Sequence, residues 1–124
     1  MLQHEELTRE FIGAAIEVHS ALGSGLLESA YEICLCHELS LRGLSFVRQI
    51  DLPVRYKNVQ LDCGYRIDLI VADLVLIELK SVETLLPVHE AQLFTYMRLS
   101  GKKVGLLINF NVPLLKDGIV RRVL

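Results

Sequence analysis

"RIDLIVADLVLIELK", residues 66–80, decides the fold. Two apolar runs of strand length meet at Ala72 and Asp73, so the segment reads as a β-hairpin. The second run alternates with period two, placing Leu74, Leu76, Glu78 and Lys80 on one face and Val75, Ile77 and Leu79 on the other. A carboxylate and an ammonium thus emerge side by side at the end of an otherwise buried strand. Ionised groups are costly to desolvate unless paired, bound to metal or reached by water. Glu78 and Lys80 therefore mark either an ion pair at a strand end or a working site.

Asp68 decides between the two. Read as strand, the preceding stretch puts Asp62, Gly64, Arg66 and Asp68 on one face. Asp68 lies opposite Glu78 only if Val71 pairs with Val75, leaving a three-residue loop of Ala72, Asp73 and Leu74. A two-residue loop would throw Asp68 to the other face unless a bulge restored the parity. In the first register two carboxylates from neighbouring strands reach one cation. Oxygen ligands on a rigid sheet suit Mg²⁺ or Mn²⁺, and Lys80 beside them can orient a water or stabilise charge on a phosphate.

Outward from the hairpin, Leu7, Phe11, Ile12, Ala15, Ile16 and His19 recur at helical spacing over residues 5–22. A second helix is expected from about Leu26 to Leu41, and a third over 87–101, with Pro87 at its start and Gly101 past its end. "FVRQIDLPVRY" (46–56) reads as an extended segment at an edge or with a bulge, because Pro53 lies inside it. "KKVGLLINF" is a buried strand and "GIVRRVL" a short last one. Helices before and after a meander make this an α/β chain, and 124 residues make it one domain.

The composition is 52% hydrophobic and the mean hydropathy +0.40. No run reaches the ~18–20 uncharged apolar residues of a membrane span, so a fully buried sheet, and with it a subunit interface, is expected to take up the excess. A net charge of −2 and pI of about 6.1 argue against a tight non-specific nucleic-acid binder. They do not exclude an enzyme that meets phosphates locally. The charged start "MLQHEELTRE" is no signal peptide, and three cysteines suggest reduced thiols in a cytoplasm. Cys34 and Cys36 sit two apart on a helix and point in different directions, so core packing is expected rather than zinc.

Asp68 followed by Glu78-Leu79-Lys80 resembles the D…(D/E)-x-K signature of the PD-(D/E)XK nuclease superfamily. "GLLESAY" matches G-x-x-E-x-x-Y at Gly25, Glu28 and Tyr31, and "HEAQLFTYMRLSGKKVGLLINF" runs from His89 to Phe110. Together these are similar to the GxxExxY protein family, a branch of that superfamily, over nearly the whole chain. The resemblance implies a restriction-endonuclease-like core of helix, three-stranded meander, helix and strand. Its central mixed sheet would be flanked by helices, with an extra helix at the N-terminus.

The resemblance also implies roles: Asp68 and Glu78 as metal ligands, Glu28 as an additional acid, Lys80 as the catalytic lysine, and Gln92 and Tyr96 as the Q-x-x-x-Y pair. Ile67 stands where the superfamily's name has proline. The activity implied is Mg²⁺- or Mn²⁺-dependent hydrolysis of nucleic acid, with DNA the expected substrate. The alternative is a non-catalytic module on the same fold that binds nucleic acid or protein. Arg48, Arg55, Lys57 and Arg66 are candidate phosphate contacts. Each site residue also has an ordinary reading: Glu28 suits any helix first turn, Gln92 and Tyr96 any polar helix rim, and a lone His89 is usually no ligand.

Overall fold

The hairpin adopts the register that brings Asp68 to Glu78. In the computed structural model, which describes residues 3–124, Val71 pairs with Val75, Ile70 with Leu76 and Leu69 with Ile77. Ala72 and Asp73 take positive φ, 51° and 58°, in the connecting loop.

Around it the chain runs α1 (Glu5–Leu22), α2 (Glu28–Leu41), β1 (Phe46–Asp51), β2 (Val54–Tyr56), β3 (Val59–Leu61), β4 (Arg66–Val71), β5 (Val75–Lys80), α3 (Pro87–Ser100), β6 (Val104–Asn109), a short 3₁₀ helix (Leu115–Gly118) and β7 (Ile119–Val123). β1, β4, β5, β6 and β7 form one sheet in that order. β6 runs parallel to β5, and the other neighbours are antiparallel. The sheet is therefore mixed, as expected, and α3 is the crossover between its parallel pair.

Alternation along β5 divides the interior. Val75, Ile77 and Leu79 join Phe11, Ala14 and Ala15 of α1 and Tyr31, Leu35 and Leu39 of α2 in one core. Leu76 on the opposite face joins Leu93, Tyr96 and Met97 of α3 in a second. β6 lies between both cores and every one of its residues is buried. The apolar composition is spent here: burying each large aliphatic side chain stabilises by about 1.5–3 kcal/mol. Gly105 of β6 lets α3 approach closely, since a Cβ there would lie 2.6 Å from Met97 Sδ. Tyr31 stacks on Phe110 at 4.3 Å between ring centroids. Its hydroxyl donates to the Gly23 carbonyl and accepts from the Leu26 N–H, which satisfies the buried oxygen.

Two expectations need correction. The stretch that carries Asp62, Gly64, Arg66 and Asp68 is not one strand, because β3 ends at Leu61 and β4 begins at Arg66. Gly64, at φ 77°, turns the chain between them. Asp62 and Gly64 therefore share no strand face with Asp68; Asp62 instead accepts the Gly64 N–H in a turn. β2 and β3 form a small separate hairpin, and Leu52 and Pro53 divide it from β1. Helix α2 starts at Glu28, two residues later than expected.

Candidate active site

The site forms where β4 leaves β5. Their ladder ends at Leu69 and Ile77, and the Leu79 N–H is taken by the Asp68 carboxylate at 2.7 Å. Asp68 therefore lies in the gap between the strands rather than fully on either face. One neighbour is Glu78. The other is a cavity of about 330 Å³ lined by Glu28, Ser29, Glu32, Arg48, Gln49, Asp68 and Leu79.

The position of Asp68 follows from a disturbance shared by β1 and β4. These strands pair from Phe46 with Val71 to Asp51 with Arg66, except that Gln49 and Asp68 form no pair. Gln49 has φ 51°, a left-handed conformation that costs an ordinary residue roughly 1–2 kcal/mol. On both strands the buried faces reverse at this rung. Leu69 and Phe46 face the core beneath α1 and α2, whereas Ile67 and Ile50 face the one beneath α3.

Glu78 is buried, and its Oε1 has no hydrogen-bond partner among the described residues. Burial first, then the charge and hydrogen bonding of the Asp68 carboxyl, push its pKa up from 4.5 to about 9, while the Lys80 charge pulls it down. An unpartnered buried carboxylate oxygen is costly to maintain. Two converging carboxyls, one with a vacant oxygen, are a donor set that a hard divalent cation fits. Lys80 follows Glu78 on the same face and is half-buried.

On α3, Gln92 Nε2 donates to the Tyr96 hydroxyl at 3.0 Å. Burial and, after it, the charge of Glu78 hold the Tyr96 hydroxyl above its usual pKa, so Tyr96 borders the same carboxyl and Gln92 stands behind it. Glu28 opens α2 with its side chain in solvent and lines the cavity with Asp68. The structure thus joins Asp68, Glu78 and Lys80 directly, with Gln92 one residue removed through Tyr96 and Glu28 across the cavity. Among the described residues no three His, Cys, Asp or Glu side chains are gathered as a metal site. His89 caps its own helix, its Nδ1 accepting the Leu86 N–H. Cys34 and Cys36 pack against the core under α1 and α2.

Three contributors were not anticipated. Glu32 is buried, with Arg48 Nε and Nη2 on its Oε2 and Gln49 Nε2 on its Oε1. Its signal was available: it lies one helical turn beyond Glu28, between the apolar Tyr31 and Ile33. Asn109, also buried, accepts the Val82 N–H and donates to the Val82 carbonyl, fixing the chain just past Lys80. A lone amide inside "GLLINF" was its signal. Gln49 carried none, since nothing marks a glutamine for the left-handed region.

A mixed sheet whose diverging strands present Asp68, Glu78 and Lys80, with α2 and α3 bringing Glu28 and Gln92, defines an α/β fold of the restriction-endonuclease-like class. Residues 5–123 match the family model for the PD-(D/E)XK nuclease superfamily, and the chain belongs to that superfamily. No curated protein and no solved structure matches it. The family is one of nucleases that generally use divalent metal ions. Among the described residues no helix is long and apolar enough to cross a membrane.

Proposed function

We propose that this chain, a member of the GxxExxY branch, hydrolyses phosphodiester bonds of nucleic acid, with DNA as substrate, using Mg²⁺ or Mn²⁺. The observation that carries the reading is the buried, unpartnered Oε1 of Glu78 beside the Asp68 carboxyl. Asp68 and Glu78 would hold the cation, and Glu28 would complete its shell through water. A divalent cation there supplies Lewis-acid charge for a phosphate oxygen and makes water easier to deprotonate.

The remaining work falls to the chain. Lys80 orients the attacking water and offsets charge developing on the phosphate. Gln92, fixed by Tyr96, orients a ligand or the substrate backbone. Arg48 is the cation lining the cavity with Asp68 and is the first choice for a phosphate contact. Free Cys34, Cys36 and Cys63 fit a reducing cytoplasm. A homodimer would bring one site to each strand of a duplex.

The test is incubation with single-stranded, duplex and branched DNA and with RNA, in Mg²⁺ or Mn²⁺, beside Glu78→Ala and Lys80→Ala. Metal-dependent cleavage by the wild type, lost in both variants, is expected. Cleavage undiminished in both would reject the site. That no three-ligand cluster is gathered among the described residues favours a second reading, a non-catalytic binding module. Nucleic-acid binding with no cleavage and no metal-induced shift in melting temperature would establish that one.

A further inference from the structure

Glu32 lies outside the signature residues, yet it is buried and fully engaged. Its Oε2 takes Nε and Nη2 of Arg48, at 2.9 and 2.5 Å, and its Oε1 takes Nε2 of Gln49 at 2.7 Å. A carboxylate is brought into an apolar interior only when its partners are in place, so the contact constrains Gln49 as much as Glu32. Gln49 is the residue at φ 51°, and Asp68 is the residue that lacks a pair across from it. A non-glycine residue stays in that region only where its surroundings over-determine it.

We infer that Glu32 is the positioning residue of the site: by holding Gln49 in the left-handed conformation it opens the β1–β4 ladder at Asp68 and releases that carboxylate into the gap beside Leu79 and Glu78. The inference rests on the reading of Asp68 as a site carboxylate. It adds the device that places it. With Gln49 extended, β1 and β4 would pair without interruption. The faces would not reverse between Leu69 and Ile67, and Asp68 would stand on one face of the sheet like any strand residue. The hold comes from α2, the helix that also carries Glu28 one turn earlier, so one helix would set both Asp68 and the acid across the cavity.

The reporter is the Leu79 amide, whose hydrogen bond ends on Asp68 Oδ2. Its ¹H–¹⁵N resonance is followed in the metal-free wild type, Asp68→Asn, Glu32→Ala and Gln49→Val, with buried Leu106 of β6 as control. Asp68→Asn should move the Leu79 resonance. Glu32→Ala should move it the same way while Leu106 stays in place. Gln49→Val, which leaves Glu32 intact but resists the left-handed region, should repeat the displacement if Glu32→Ala fails to fold. Adding Gln49→Gly to Glu32→Ala should return the resonance toward its wild-type position, because glycine takes that conformation freely.

Where the wild type cleaves nucleic acid, Glu32→Ala should lower kcat at least tenfold with KM changed less than threefold. A Leu79 resonance unmoved in Glu32→Ala, or displaced with no return in the double variant, overturns the inference, as does one that Asp68→Asn does not move. These outcomes do not depend on turnover. A wild type that cleaves nothing removes the nuclease reading and leaves the positioning of Asp68 decided by the resonance.

Discussion

Ser81 Oγ donates a hydrogen bond to the Leu26 carbonyl at 2.7 Å. The residue after Lys80 is thereby joined to the residue two before Glu28, across the junction of β5 and the α1–α2 connection. Ser81→Ala removes a bond between half-exposed groups, worth about 1 kcal/mol, so the urea midpoint should fall only slightly. Cleavage should fall further, because the start of α2 is freed from β5 and Glu28 loses its placement. Equal loss of stability and activity would show that the bond only holds the fold.

Glu78 predicts a pH dependence of stability. Its carboxyl titrates near 9 in the folded chain against 4.5 ordinarily, so the folded chain keeps a proton that the unfolded chain releases above 4.5. The stability from this group is complete below pH 4.5 and declines as pH rises toward 9, by up to about 1.4 kcal/mol per pH unit. Glu78→Gln cannot release that proton. In EDTA its melting temperature should match wild type near pH 4.5 and exceed it increasingly toward pH 9, while any metal-dependent cleavage should be lost. A variant that melts below wild type at pH 8 contradicts this.

Lys80 is tested by keeping its charge and changing its shape. Lys80→Met should reduce kcat about 10²–10³-fold, in the range of lost electrostatic stabilisation. Lys80→Arg should recover little, because a planar guanidinium places its donors differently from an ammonium. Single-turnover rates at saturating metal separate this from a change in metal affinity. Full recovery in Lys80→Arg would mean that only the charge matters.

Gly118 predicts a purely structural loss. A Cβ there would lie 2.2 Å from the backbone oxygen of Asn109, whereas one at Gly105 would meet the flexible end of Met97 at 2.6 Å. Overpacking commonly costs about 1–3 kcal/mol. Gly118→Ala should stand at or above the top of that range and Gly105→Ala near the bottom, by urea unfolding. The order reverses only if the segment carrying Gly118 can move away from β6.

The hairpin was legible from the alternation of β5, which placed Glu78 and Lys80 together. Alternation admits a loop of either two or three residues, however, and only the pairing of Val71 with Val75 fixes the register. The helices were legible from their apolar spacing. The β2–β3 hairpin was not, because its turn residues Lys57 and Asn58 both take positive φ, 49° and 64°. Asn suits that turn but Lys does not advertise it. Glu32 and Asn109 show as polar residues in apolar surroundings, yet sequence alone cannot say which partner each will meet. Gln49 lies beyond such reading, since its conformation is imposed by a contact with another element.

β1 is an edge of the five-stranded sheet, and an edge strand offers its free N–H and C=O groups to any extended chain that meets it. The left-handed residue at Gln49 interrupts that row near its middle. An incoming strand could pair only with the short stretch on either side. The distortion that leaves Asp68 without a pair across the ladder therefore also guards the sheet against growing from one molecule into the next.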